Sequence, residues 1–172
     1  MERATITRGV DMKLAIGVYA IAMVLANLIV AKFGPSASPF IAFFLIGLDL
    51  VVRDWLHVRL KIWQMGCLIA ATGVLTYVLN PAAGQIAVAS SVAFTLAALA
   101  DWWVFAKMRG SWMRRANGSN VAGAAVDSVV FPTVAFGSLM PEIVALQFLA
   151  KVAGGAAWSF IIDRFNGRPV NT

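Results

Sequence analysis

Charge is scarce in this chain. Only 13% of its 172 residues are Asp, Glu, Lys or Arg, about half the share of a typical soluble domain. Cysteine is scarcer still. Cys67 stands alone inside an apolar run, which excludes a disulfide framework and a CxxC metal site. With His57 as the one histidine, neither a zinc cage nor a histidine dyad can be assembled. HExxH and GxSxG are both missing, so the common hydrolase signatures have no foothold. The chain is therefore not expected to be an enzyme, and no cofactor or metal is implied.

Apolar sequence is what the chain has in excess. Hydrophobic residues make up 60% of it, and the mean hydropathy is +0.81. A membrane-spanning helix needs roughly 20 predominantly apolar residues. Runs of that kind fall near 13–33, 39–57, 61–80, 85–106, 118–137 and 141–163. They are punctuated by "GPSASP", "NPAAGQ" and "GSLMPE", stretches rich in turn formers. No soluble domain, low-complexity tract or long linker interrupts them. The expectation is an all-α integral membrane protein, a compact bundle of six transmembrane helices forming one domain over residues 1–172. Basic residues before the first run and "SAS" at 36–38 imitate a signal peptide. That run is too long for an h-region, however, and Pro39 would directly follow the cut.

A net charge of +6 could suggest nucleic acid, but the placement of the cations argues otherwise. Arg3, Arg8, Lys13, Arg53, Arg59, Lys61, Lys107, Arg109, Arg114, Arg115, Arg164 and Arg168 all belong to one side of a six-span topology. Lys32 alone belongs to the other, and Lys151 lies inside a span. By the positive-inside rule both termini are cytoplasmic. The "NGS" sequon at 117–119 then sits on the cytoplasmic side, where it has no glycosylation role.

Five ionisable residues stand out, four deep within spans and Arg53 at an inner helix end: Asp49, Arg53, Asp101, Asp127 and Lys151. Each costs about 2.5–3.5 kcal/mol at mid-bilayer on insertion scales, so such groups face the bundle interior and pair, or line a wet cavity. Counting from a turn near Leu139, Asp127 lies as far before it as Lys151 lies after it. At 1.5 Å per residue both are about 18 Å deep, where adjacent antiparallel helices can present them to each other. Asp49 and Arg53, one turn apart, can bridge locally. Helical phase groups Asn120, Gly123 and Asp127 on one stripe, Gln147, Lys151, Gly154 and Trp158 on another, and Ser90, Phe94, Ala97 and Asp101 on a third. The five charges sum to −1, so pairing both cations leaves one acid over. Asp101, with no cation in its span and Trp102 and Trp103 beside it, is the expected remainder. Such an acid could accept N–H bonds from a flat nitrogenous ligand stacked on a ring, or it could carry a proton.

These same stretches resemble a known family. "GLDLVVRDWLH" (47–57), "IAVASSVAFTLAALADWWVFAKMR" (86–109), "SNVAGAAVDSVVFPTVAFG" (119–137) and "EIVALQFLAKV" (142–152) are similar, in order and spacing, to the queuosine precursor transporter family, also called VUT or YhhQ-like. The resemblance covers most of the chain. It implies a carrier in a bacterial-type inner membrane for 7-deazaguanines such as 7-cyano-7-deazaguanine or its aminomethyl relative. It places Asp49, Arg53, Ser90, Ser91, Asp101, Asn120, Asp127, Ser128 and Lys151 on the family's polar positions. Gln147 stands where some members carry an acid. The expected substrate-binding set is Asp101, Asn120, Ser90, Ser91, Phe94, Trp102, Asp49 and Gln147, with Asp127, Lys151 and Arg53 in ion pairs. The implied partners are the deazapurine and the lipid bilayer; whether copies assemble into a homo-oligomer stays open. The alternative is a substrate-capture subunit for a vitamin or nucleobase, driven by an ATPase partner. For that docking, "AMVLA" (22–26) offers a small-xxx-small face.

Overall fold

The computed structural model describes residues 11–57, 59–110 and 112–165. Arg3, Arg8, Ser111, Arg168 and Thr172 lie outside the described residues, as do the side chains of His57, Arg114, Arg115, Asn117 and Arg164. Among the described residues there is no strand. Six helical segments are long and apolar enough to cross a membrane.

Local chemistry sets the ends of these helices. Helix α1 (Met12–Phe33) begins where the Asp11 carboxylate accepts the Lys13 N–H at 3.0 Å. It stops at Gly34, whose φ of 75° suits glycine. A 3-10 turn (Pro35–Ala37) then leads into α2 (Ser38–Ile41), a π-helical segment (Ala42–Ile46) and α3 (Gly47–His57), which together make the second span. Helix α4 (Ile62–Leu79) starts with the Gln64 side chain accepting the Lys61 N–H at 2.8 Å. Asn80 ends it and caps the next turn by accepting from the Ala82 N–H. Helix α5 (Gly84–Lys107) and helix α6 (Trp112–Phe136) pack along most of their lengths. Gly137, at φ 72°, opens the short turn into α7 (Pro141–Phe165).

The polarity is inside out compared with a soluble protein. Phe40, Ile62, Trp63, Val78 and Phe160 are exposed, whereas Asn27, Thr76, Ser128, Gln147 and Lys151 are buried. Lipid covers the first set, and the second satisfies itself within the bundle. Small residues let helices approach. A Cβ on Gly123 would sit 3.3 Å from the Ala97 carbonyl oxygen. Tighter still, a Cβ on Gly47 would lie 2.7 Å from the Gly154 carbonyl carbon, and one on Gly154 would strike the Phe43 carbonyl oxygen. The second span and α7 therefore cross on bare backbone, beside the π segment. There the Trp158 indole N–H donates to the Phe44 carbonyl at 2.9 Å. Ala22 and Ala26 are both buried. The docking face expected from "AMVLA" is thus already used against the chain's own helices.

Two boundaries differ from the hydropathy reading. Helix α6 extends back to Trp112, ahead of its apolar span, which begins at Gly118 as the hydropathy places it, because hydropathy marks where lipid begins, not where hydrogen bonding does. Ser38 belongs to a helix rather than to a loop.

Candidate functional site

Lys151 is the centre of the polar interior. It is only 2% exposed, and its ammonium reaches Asp127 Oδ2 at 2.6 Å. The same group donates to Gln147 Oε1 at 2.9 Å and to Ser128 Oγ at 3.2 Å. An ammonium has three donors, and here each has an acceptor. Gln147 lies one turn before Lys151 on α7, and Asp127 and Ser128 are neighbours on α6. Pro132 lies inside α6 and has no N–H for the Ser128 carbonyl, so one rung of the helix ladder is missing one turn from this pair. The network continues outward. Gln147 Nε2 donates to Ser38 Oγ at 3.0 Å, and Ser38 donates to the Pro35 carbonyl at 2.6 Å.

A second network faces the first. Ser90 on α5 donates to Asn27 Oδ1 on α1 at 2.5 Å. Asn27 Nδ2 donates to Thr76 Oγ1 on α4 at 3.4 Å, and Thr76 donates to the Thr72 carbonyl. The two networks meet at a cavity of about 30 Å³ lined by Asn27, Ser38, Ser90, Asp127 and Lys151. Phe94 and Phe131 also line it, so aromatic faces stand beside amide, hydroxyl and carboxylate groups. That volume holds about one water and not a bicyclic ring. The bundle is therefore closed around its most polar point.

A separate group lies toward the basic end. Asp49 is fully buried and Arg53 nearly so. The Arg53 guanidinium lies over the Phe94 ring at 4.9 Å from its centroid, a cation–π contact. Tyr19 is close enough to Asp49 and Arg53 to feel both charges. Asp101 Oδ1 is buried without a hydrogen-bond partner among the described residues. Its Cβ faces Gly123 across the α5–α6 contact. Asn120 borders a different space, a cleft between α3, α6 and α7.

The geometry thus divides the expected binding set. Ser90 and Phe94 line the central cavity, and Gln147 holds its wall through Lys151. Asp49 and Asn120 lie off the cavity wall, as do three further residues of the set. Trp102 is 65% exposed on the lipid side, since it sits about 100° around the helix from the inward Asp101. Ser91 turns toward α4, where its Oγ would be 3.2 Å from a Cβ on Gly73, and it donates to the Ala87 carbonyl instead. Asp101 is eleven residues from Ser90, about 16 Å along α5, and is not part of the cavity wall. The acid at the cavity is Asp127.

Asn27, Ser38, Thr72 and Thr76 were not legible as site residues, being neutral and scattered through apolar runs. A usable signal did exist. Asn27 extends the Tyr19–Met23 row at +4 spacing, and Thr72 and Thr76 repeat at +4.

No curated protein and no solved structure matches the chain. Residues 13–162 match the model of the family described as "Putative vitamin uptake transporter". That span includes both polar networks and all six membrane-crossing helices but for their outermost residues. This multi-pass membrane protein belongs to that uptake transporter family.

Proposed function

We propose that this family member imports a 7-deazaguanine precursor of queuosine across a bacterial-type inner membrane, with both termini in the cytoplasm. The observation that carries the reading is the central cavity, where Asp127, Asn27 and Ser90 stand beside Phe94 and Phe131. A deazaguanine offers N–H donors along one edge and two flat faces. Asp127 and the Asn27 carbonyl oxygen accept, Ser90 can donate, and the phenyl rings cover the faces. Bonds to the carboxylate are charge-assisted, which favours a donor-rich heterocycle over a hydrocarbon of the same shape.

Binding requires the bundle to open, because the closed cavity admits only about one water. Sites near the midplane that alternate between the two faces are a general property of carriers. The orientation follows from the twelve cations on one side against Lys32 on the other. A reporter fused after Thr172 should be active in the cytoplasm.

Uptake of labelled 7-cyano-7-deazaguanine by cells that lack its synthesis, with no added partner, tests the function. Accumulation above the empty-vector control supports a self-sufficient carrier. Accumulation only when an ATPase partner is supplied would assign the chain to a capture subunit.

A further inference from the structure

Lys151 borders two separate spaces. One is the central cavity of about 30 Å³. The other is a cleft of about 370 Å³ bounded by Leu50 and Val51 of α3, Asn120 and Ala124 of α6, and Gly155 and Ser159 of α7. The cleft lies toward the basic end. Ser159 is eight residues past Lys151, about 12 Å along α7, and Asn120 is seven residues before Asp127 on α6.

Each space has what the other lacks. The cavity has convergent donors and acceptors but no room. The cleft has a volume within the roughly 300–1,000 Å³ that small-molecule sites use, with Asn120 and Ser159 as its polar lining. Gly155 keeps it open: a Cβ there would meet only Leu50 Cδ1, at 4.0 Å. Between the two spaces stands a single cation held by Asp127, Ser128 and Gln147.

We infer that the cleft is a second binding station for a flat, donor-bearing heterocycle on the release side, and that the Asp127–Lys151 pair is the partition between the two stations. The station rests on the uptake function proposed above, whereas the partition rests on geometry alone. The chemistry of exchange is favourable. When a ligand N–H takes the Asp127 carboxylate, the Lys151 ammonium keeps Gln147 Oε1 and Ser128 Oγ as acceptors. Two of its three hydrogen bonds are kept and the Asp127 carboxylate stays nearby as countercharge, so the Lys151 side chain is loosened rather than stranded. Ligand binding at the cavity thereby loosens the wall that separates it from the cleft.

Thiol accessibility tests this directly. Exposed Cys67 is first replaced by serine. Single cysteines are then introduced as Ser90→Cys in the cavity or Ala156→Cys in the cleft. Sealed vesicles presenting the basic end receive an impermeant methanethiosulfonate. Ala156→Cys should react fast and Ser90→Cys at least tenfold slower. Neutralising the pair with Asp127→Asn and Lys151→Met should raise the Ser90→Cys rate at least tenfold. If that variant does not fold, Ser128→Ala with Gln147→Ala removes two of the three acceptors and should raise the rate several-fold. Equal rates at the two positions with the pair intact overturn the partition, as does a Ser90→Cys rate that no variant raises. An unreactive Ala156→Cys means lipid fills the cleft and overturns the station. Saturating 7-cyano-7-deazaguanine should slow Ala156→Cys at least threefold. Equilibrium binding of the precursor without that protection overturns the station. No binding, with the labelling pattern intact, overturns the proposed substrate and leaves the partition standing.

Discussion

The middle of the bundle and its basic end bury charge in opposite ways. At the middle, Lys151 meets three acceptors from two helices, and the charge of Asp127 is answered at 2.6 Å. Toward the basic end, Arg53 leans on an aromatic face, and Asp101 leaves one buried oxygen without a hydrogen bond among the described residues. Breaking a saturated ion pair strands a charge, so the middle is where a substitution is most costly. The basic end relies on a softer contact and on its nearness to the membrane surface, where charge is cheaper to hold.

The largest effect should come from breaking the middle alone. Asp127→Asn leaves the Lys151 charge unanswered, which in soluble proteins costs about 3–5 kcal/mol. Thermal unfolding in detergent should register a marked loss, and adding Lys151→Met should recover part of it. Strictly additive losses would show that the two side chains do not depend on each other. Next comes the crossing near both regions. Gly154→Ala forces a methyl into the Phe43 carbonyl and should cost about 1–3 kcal/mol. Gly155→Ala, with open space around its Cβ, should stay within about 0.5 kcal/mol of the parent by the same assay. Recognition sharpens the contrast further. Asn27→Ala removes a cavity acceptor and should weaken precursor binding several-fold, as expected for about 0.5–1.5 kcal/mol per hydrogen bond. Asp101→Asn, off the cavity wall, should bind within about twofold of the parent; a larger loss would move the recognition site to the basic end. The smallest effect belongs to Trp102→Leu. Its ring faces lipid, so stability should change by less than about 0.5 kcal/mol.

The contrast also explains what could be read from sequence. Spans were legible because length and hydropathy are local properties, and four of the six helices, α1, α4, α5 and α7, lie within about two residues of their apolar runs at either end. The depth match of Asp127 and Lys151 was legible because a short turn makes residue counting equivalent to measuring depth. Trp102 misled because closeness in sequence to Asp101 is not closeness in space on a helix, where adjacent residues diverge by about 100°. The π segment at Ala42–Ile46 was hidden, since one added residue per turn leaves no compositional trace. Asn27 and Thr76 were hidden for another reason. A neutral polar residue costs too little in lipid to stand out, yet across two helices it supplies the cavity's second wall.

The short turn from Gly137 to Met140 has a consequence for how the chain is made. Helices α6 and α7 are the two least apolar of the six spans, and each carries a charge that would enter the bilayer alone at a cost of about 2.5–3.5 kcal/mol. Because the turn brings Asp127 and Lys151 to one depth, the two helices can leave the insertion machinery as a hairpin whose charges are already answered. Lengthening this turn by a flexible insert would delay that meeting. The mark of such a delay would be a fraction of newly made chains with α7 left uninserted.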